Sequence, residues 1–333
     1  MNKITHLKHS IIALLGIALL SISCSRDGSL DVLENREVSF SVNSEAISTK
    51  ITPANNSTIT ASPFGVIAYS HAAGAAADAW TLHGTESTVT HTSGAWIPNP
   101  RVYWPAKKQK VSYLAYWPKI ANNSVTFNAV SKTADVRIKN VIANQIDFLV
   151  AKATDLDDNP SITALNVPLS FNHVLCGIRF KCNDNVTISK VVISGIKNKG
   201  TYDFTTDSWI NPIIDGSNSY TLNNITYDDP VEGYKAFNIK HTLFMLPQQL
   251  TTPAKISVTV DGKPDVITAS MEGHMWDPGK IITYLIKETL AGITIEILEI
   301  KDFADYPDDI VFGQPDIDIT PINEENDYGG ILM

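Results

Sequence analysis

An all-β fold, two β-sandwich domains in tandem followed by a flexible C-terminal tail, is what this 333-residue sequence predicts. Short alternating or β-branched runs recur along the chain, and clusters of Gly, Pro, Asn and Asp separate them. Beyond the N-terminal leader no segment keeps a long helical period. Apolar residues make up 44% of the chain, which supports a packed core and excludes a disordered or fibrous class.

The leader comes first. Lys3 and Lys8 precede the apolar run Ile11–Leu20, which is too short to span a bilayer as a mature helix but suits a secretory signal. The segment Leu20-Ser21-Ile22-Ser23-Cys24 resembles a bacterial lipobox. Residues 1–23 are therefore expected to be a lipoprotein signal peptide, with Cys24 the lipidated first residue of the mature chain. An ordinary signal with an incidental cysteine is the other reading. Acyl chains on Cys24 would anchor the body through buried CH2 groups, each worth about 0.8 kcal/mol. Ser25 follows rather than Asp, so nothing marks inner-membrane retention, and the outer membrane or cell surface is the expected location.

Residues 24–36 read as an N-terminal linker, and 37–160 as the first sandwich domain. Its expected strands include Val38–Val42, Gly65–Tyr69, Lys110–Tyr116 and Val136–Val141. The alanine-rich stretch His71–Ala79 reads as a loop over the sheet. A polar turn from Asp155 to Pro160 separates this set from a second domain of similar size, 161–303, with strands at Ile188–Ile193, Lys255–Val260 and Ile281–Ile286. Each half is long enough to bury its own core. Asp277-Pro278-Gly279 reads as a turn with Gly279 at positive φ.

With Cys24 set aside, Cys176 and Cys182 remain. They share a parity with Ile178 and Phe180, while Arg179 and Lys181 take the other, as in a half-buried strand with both thiols on the core face. Along an extended strand they lie about 20 Å apart, beyond disulfide reach, so they read as buried free thiols. His173 follows the alternating Val167, Leu169 and Phe171 and reads as a hydrogen-bonded core histidine. No metal or other cofactor is implied.

The net charge of −9 is unevenly placed. After Lys301 there is no Lys or Arg, while nine acids fall between Asp302 and Asp327; the preceding 301 residues hold 26 acids against 26 bases. No basic face offers itself to nucleic acid. Residues 304–333 form an acidic tail in which Ile310, Phe312, Ile317 and Ile319 are spaced as in two short strands.

Several motifs fall together in order: Tyr103-Trp104-Pro105, Tyr116-Trp117-Pro118, Asp147-Phe-Leu-Val-Ala-Lys152, Val167-Pro-Leu-Ser-Phe-Asn-His173, Leu243-Phe-Met-Leu-Pro-Gln248 and Trp276-Asp-Pro-Gly-Lys280. Read from the residues alone they are structural, with Tyr103, Trp104, Tyr116 and Trp117 adding apolar surface at strand ends. As a series they resemble the fimbrillin family of Bacteroidales surface lipoproteins, the subunits of type V pili. The resemblance covers most of residues 37–303.

That resemblance implies a pair of transthyretin-like sandwiches and polymerisation by strand exchange. A protease releases an N-terminal strand, and the opened groove takes a strand from the next subunit, with other pilin subunits as partners. Here the removable strand is Glu37–Asn43, with Val38, Phe40 and Val42 on one face. Family members often carry Thr-Arg shortly after this strand. Thr49-Lys50 is the match, so Lys50 is the candidate processing site and Arg36 the remaining one. The implied donor is the tail, through Ile310, Phe312, Ile317 and Ile319; an inert acidic extension is the plainer reading of the same segment.

An enzyme is not expected. No GxSxG, HExxH, P-loop, GxGxxG or CxxC pattern occurs. The competing reading is a non-polymerising outer-membrane lipoprotein that binds a glycan or host-protein receptor, with Trp80, Trp96 and Trp209 as stacking platforms; a place in the core is the equal reading of the same three tryptophans.

Overall fold

The computed structural model describes residues 37–42, 60, 62–105, 109–119, 124–157, 165–216, 218–289 and 292–303. The described chain is all β apart from short 3-10 turns. The largest sheet has eight strands: β1 (Val38–Val42), β2 (Phe64–His71), β3 (Thr81–Thr92), β4 (Ala95–Asn99), β5 (Lys110–Trp117), β8 (Leu149–Leu156), β9 (Leu165–Leu169) and β10 (Asn172–His173). Their order is β10-β8-β5-β2-β3-β4-β1-β9. Only Ser170 and Phe171 separate β9 from β10, so the two ends of the sheet meet and it curls around an interior of its own. That interior holds Val38, Phe40, Phe64, Val66, Tyr113, Val167, Leu169 and Phe171, among others.

A four-stranded sheet covers the outer parity of the first. It comprises β6 (Val125–Asn128), β7 (Thr133–Arg137), β13 (Lys199–Asp203) and β14 (Ser208–Ile213), in the order β14-β13-β7-β6. Phe127 stacks on Tyr116 at 5.5 Å, and Tyr202 meets Phe148 edge-on at 6.3 Å. The first sheet is thus buried on both faces at β2 and β5, which is why these two strands read as nearly continuous apolar runs.

The remaining strands build two sheets that share one core cluster. One contains β11 (Cys176–Asn183), β16 (Tyr234–Ala236), β17 (Leu243–Met245), β22 (Lys280–Thr289) and β23 (Gly292–Asp302). The other contains β12 (Ile188–Ser194), β15 (Tyr220–Asn223), β19 (Lys255–Val260) and β20 (Val266–Ser270). A short pair, β18 (Gln248–Gln249) and β21 (Met275–Trp276), completes the set.

The expected break at residue 160 precedes two strands, β9 and β10, that belong to the first sheet. The β6–β7–β13–β14 sheet also draws strands from both sides of that position, joined at the β7–β13 ladder. The His71–Ala79 stretch starts at the buried end of β2 and closes in a 3-10 turn at Ala77–Ala79. Gly279 has a φ of 70°, as the Asp-Pro-Gly turn requires.

Candidate functional site: the seat of the N-terminal strand

β1 occupies an interior place in the first sheet. It pairs antiparallel with β4 at Phe40↔Trp96 and parallel with β9 from Val38↔Leu165 to Val42↔Leu169. Val38 N–H donates to Val102 O at 2.8 Å, and Glu37 is ion-paired with Arg101. The period-2 sequence explains the seating: Val38 is 1% exposed and Phe40 4%, with Ser39 between them on the surface. Val42 is half-buried. The Phe40 ring meets Tyr113 at 5.5 Å and Phe64 at 6.2 Å, both edge-on. Burial pushes the Tyr113 phenol well above its ordinary pKa. The seat is accordingly apolar, shaped for side chains at every second position of an extended segment.

A second cluster lies where the last strand ends. Phe303 follows β23 and is buried; its ring stacks on His173 at 4.2 Å and lies parallel to Phe244 at 6.1 Å. Its N–H donates to Gly279 O at 3.2 Å. His173 is half-buried, and its Nδ1 stands 2.7 Å from Asp147 Oδ2 without the geometry of a hydrogen bond, so the hydrogen-bonded core histidine expected from the sequence is not what the fold forms. Residues from four of the sequence motifs, Asp147, His173, Phe244 and Gly279, therefore meet at one point. Phe303 itself had no signal beyond an aromatic ring at the end of an alternating run.

Cys24, Arg36, Lys50, Ile310, Phe312, Ile317 and Ile319 lie outside the described residues. Cys176 and Cys182 are both buried and free. Burial raises both thiols, Cys182 to about 11. Trp104, Tyr116 and Trp117 are buried as expected, whereas Tyr103 is 41% exposed. The three tryptophans proposed as stacking platforms are partly buried. Trp80 stacks on His71, Trp96 packs on Phe64, and Trp209 donates to Val174 O at 2.7 Å. Arg179 departs from the half-buried strand expected of it: it is 5% exposed. Among the described residues no cluster of His, Cys, Asp and Glu has metal-binding geometry.

A family model described as fimbrillin-like matches residues 49–302, most of the chain. The chain belongs to the fimbrillin-like family. Among solved structures, this fimbrillin-like chain is similar to a fimbrial protein from Bacteroides vulgatus, with 19% identity, a TM-score of 0.61, and coverage of 81% of this chain and all of that one. A candidate cell adhesion protein from Bacteroides uniformis matches at 18% identity and a TM-score of 0.52, over 80% and 98% of the two chains. A counterpart from Bacteroides ovatus gives 17%, 0.50, 80% and 97%. At these identities the likeness establishes a shared fold. No match was found among functionally curated proteins. β1 precedes the first residue of the family match, and the match ends at the last residue of β23.

Proposed function

We propose that this chain is a structural subunit of a cell-surface fimbria, exported as a lipoprotein precursor anchored in the outer membrane through Cys24. Assembly proceeds by protease-triggered strand exchange, and the fimbria supports adhesion to a host-protein or glycan receptor. The observation that carries the reading is the seat of β1. A five-residue strand at the N-terminal end of the described chain fills a slot between β4 and β9, and every other strand of that sheet comes from residues 64–173.

Physical chemistry then orders the steps. Lys50 is the only Lys or Arg between β1 and β2, so a cut after it frees β1 from the covalent chain and leaves all later strands intact. A cut after Arg36 leaves β1 attached. Loss of β1 uncovers two strand edges and the apolar seat beneath them, a template for β-augmentation. In the tail, Ile310-Val-Phe312 reproduces the spacing of Val38-Ser-Phe40, an aliphatic side chain two residues before phenylalanine. The ring of Phe312 from another subunit would take the place of Phe40 between Phe64 and Tyr113. The Phe303 cluster holds the base of that tail on the body. Because donor and acceptor are different segments of the chain, each contact is head-to-tail and a filament grows.

The test is direct. Purified precursor is treated with trypsin and examined by electron microscopy and by gels run without boiling. Filaments and detergent-resistant ladders are expected once β1 is lost; a trimmed subunit that stays monomeric refutes the proposal.

A further inference from the structure

The sheet of β11 and β22 ends in an edge that strand exchange does not use. β23 closes that sheet and, among the described residues, has a ladder only with β22. With eleven residues it is the longest strand at any sheet end. The other end strands have six residues or fewer, and β9 and β14 also carry Pro168 and Pro212. Short strands, prolines and inward-pointing charges are what keep an open edge from pairing with another chain. From Gly292 to Ile297, β23 has none of these.

Register with β22 assigns the faces of the strand. Ile295 and Ile297 lie opposite the core residues Ile286 and Tyr284, so Ile293, Ile295 and Ile297 point inward. All three are only partly buried, as are Ile267 and Ala269 of β20, which meets β23 at the same rim. Ile300, opposite Ile282, is 49% exposed. The sandwich therefore stops with an apolar row partly open to water. Thr294 and Glu296 take the outer face and are exposed. A register shift between Thr283 and Tyr284 leaves Leu298 as a bulge, so the regular edge is 292–297.

The sequence of that edge is complementary to itself. Two copies paired antiparallel about Ile295 set Ile293 against Ile297 of the second copy, Ile295 against Ile295, and Ile297 against Ile293. The result is one continuous apolar row. On the outer face the same register sets Thr294 against Glu296, so no like charges stand directly opposite each other. Glu296 is also paired with Lys287 of its own chain at 2.5 Å, which neutralises the outer face. The relation is two-fold, so the contact closes after two copies. We infer that β23 is a docking edge for β23 of a second copy, joining two subunits side by side through one continuous sheet. The contact uses neither β1 and its seat nor the tail.

Disulfide trapping of the uncut chain reads the register. In a Cys24→Ser background the remaining thiols, Cys176 and Cys182, are buried. Ile295→Cys then brings two thiols about 5 Å apart across the two-fold, within disulfide reach, whereas Ile293→Cys leaves its pair about 14 Å apart. Mild oxidation should give a dimer on non-reducing gels from Ile295→Cys and none from Ile293→Cys. In sedimentation equilibrium the chain without added cysteines should dimerise reversibly with a Kd of about 10–100 µM, as suits a small interface. Thr294→Glu sets a carboxylate against Glu296 twice per dimer and should raise that Kd about tenfold. Adding Glu296→Lys restores opposite charges and should bring the Kd back; both positions are exposed, so circular dichroism should not change. A chain still monomeric at about ten times that concentration, equal trapping at 293 and 295, or a Thr294→Glu dimer as tight as the wild type overturns the inference. So does a chain that dimerises only after Ile310→Ser and Phe312→Ser, since its own tail would then be the occupant of the edge. β1 stays in place in all these samples, so failure here leaves strand exchange standing, and the reverse also holds.

Discussion

Replacing Phe40 with alanine tests how firmly the sheet holds β1. Phe40 is 4% exposed and wedged edge-on against Tyr113 and Phe64. Truncating a buried phenylalanine costs about 3–5 kcal/mol. Burial of Val38 and Phe40, at about 1.5–3 kcal/mol each, and of half of Val42 gives the strand a gross side-chain hold of only about 4–7 kcal/mol. F40A therefore removes most of it. Hydrogen exchange read by mass spectrometry resolves the outcome, because the 37–42 peptide is compared with 280–289 in the same sample. Exchange at 37–42 should accelerate by about a hundredfold or more, since each 1.4 kcal/mol is a factor of about ten. β22 contributes to the other core cluster and should keep its protection. Unchanged protection at 37–42, or an equal loss in both peptides, would show that β1 is not an independently releasable strand.

Other consequences follow from the same packing. Phe303→Ala should raise exchange across residues 292–302 and leave 110–117 unaffected, because the ring closes the end of β23 against His173 and Phe244. His241 is shifted below its ordinary pKa by burial and then by Lys240, and its Nε2 accepts from Thr226 N–H at 2.9 Å. His274 is likewise lowered by burial. The unfolded chain thus binds protons first, so the stability from these two groups is full above the ordinary histidine range and falls as pH drops through it. The urea midpoint should be lower at pH 5.5 than at pH 7.5; an equal or higher midpoint at pH 5.5 contradicts this. Gly195 has a φ of 75°, and an added Cβ would lie 2.3 Å from Pro253 O. G195A should therefore lower the unfolding free energy, read from urea melts, by more than the roughly 1 kcal/mol of an unstrained glycine change. Both body thiols should resist iodoacetamide in the folded chain and react after denaturation, as buried groups with raised pKa values do.

Individual strands were legible because period-2 alternation is local. The spans of β1 and β19 follow directly from Val38, Phe40 and Val42 and from Ile256, Val258 and Val260. The partners of those strands were not legible. The parallel β1–β9 ladder joins residues more than a hundred positions apart, and nothing in either segment names the other. For the same reason residues 165–173 read as the start of a second unit while they complete the first sheet. Arg179 shows a further limit. Alternation places it opposite the core face of its own strand, but it is 5% exposed and its guanidinium donates to Phe237 O, a carbonyl 58 positions away in the chain. The tryptophans at 80, 96 and 209 were ambiguous between surface and core for the same reason, and their contacts lie mostly inward. Of the strand-exchange parts, the apolar face of β1 was visible in the sequence, whereas its seat on Phe64 and Tyr113 needed the folded sheet.

The central claim is that the slot of β1 in one subunit is filled by the tail of another. It is tested most directly by mixing wild-type precursor with a variant carrying Ile310→Ser, Phe312→Ser, Ile317→Ser and Ile319→Ser, then removing β1 from both with trypsin. The variant alone should stay monomeric, because it has a seat and no donor. Added in increasing proportion, it should shorten wild-type filaments, since it accepts a tail and offers none onward. Filaments formed by the variant alone, as long as those of the wild type, would contradict strand exchange through this tail.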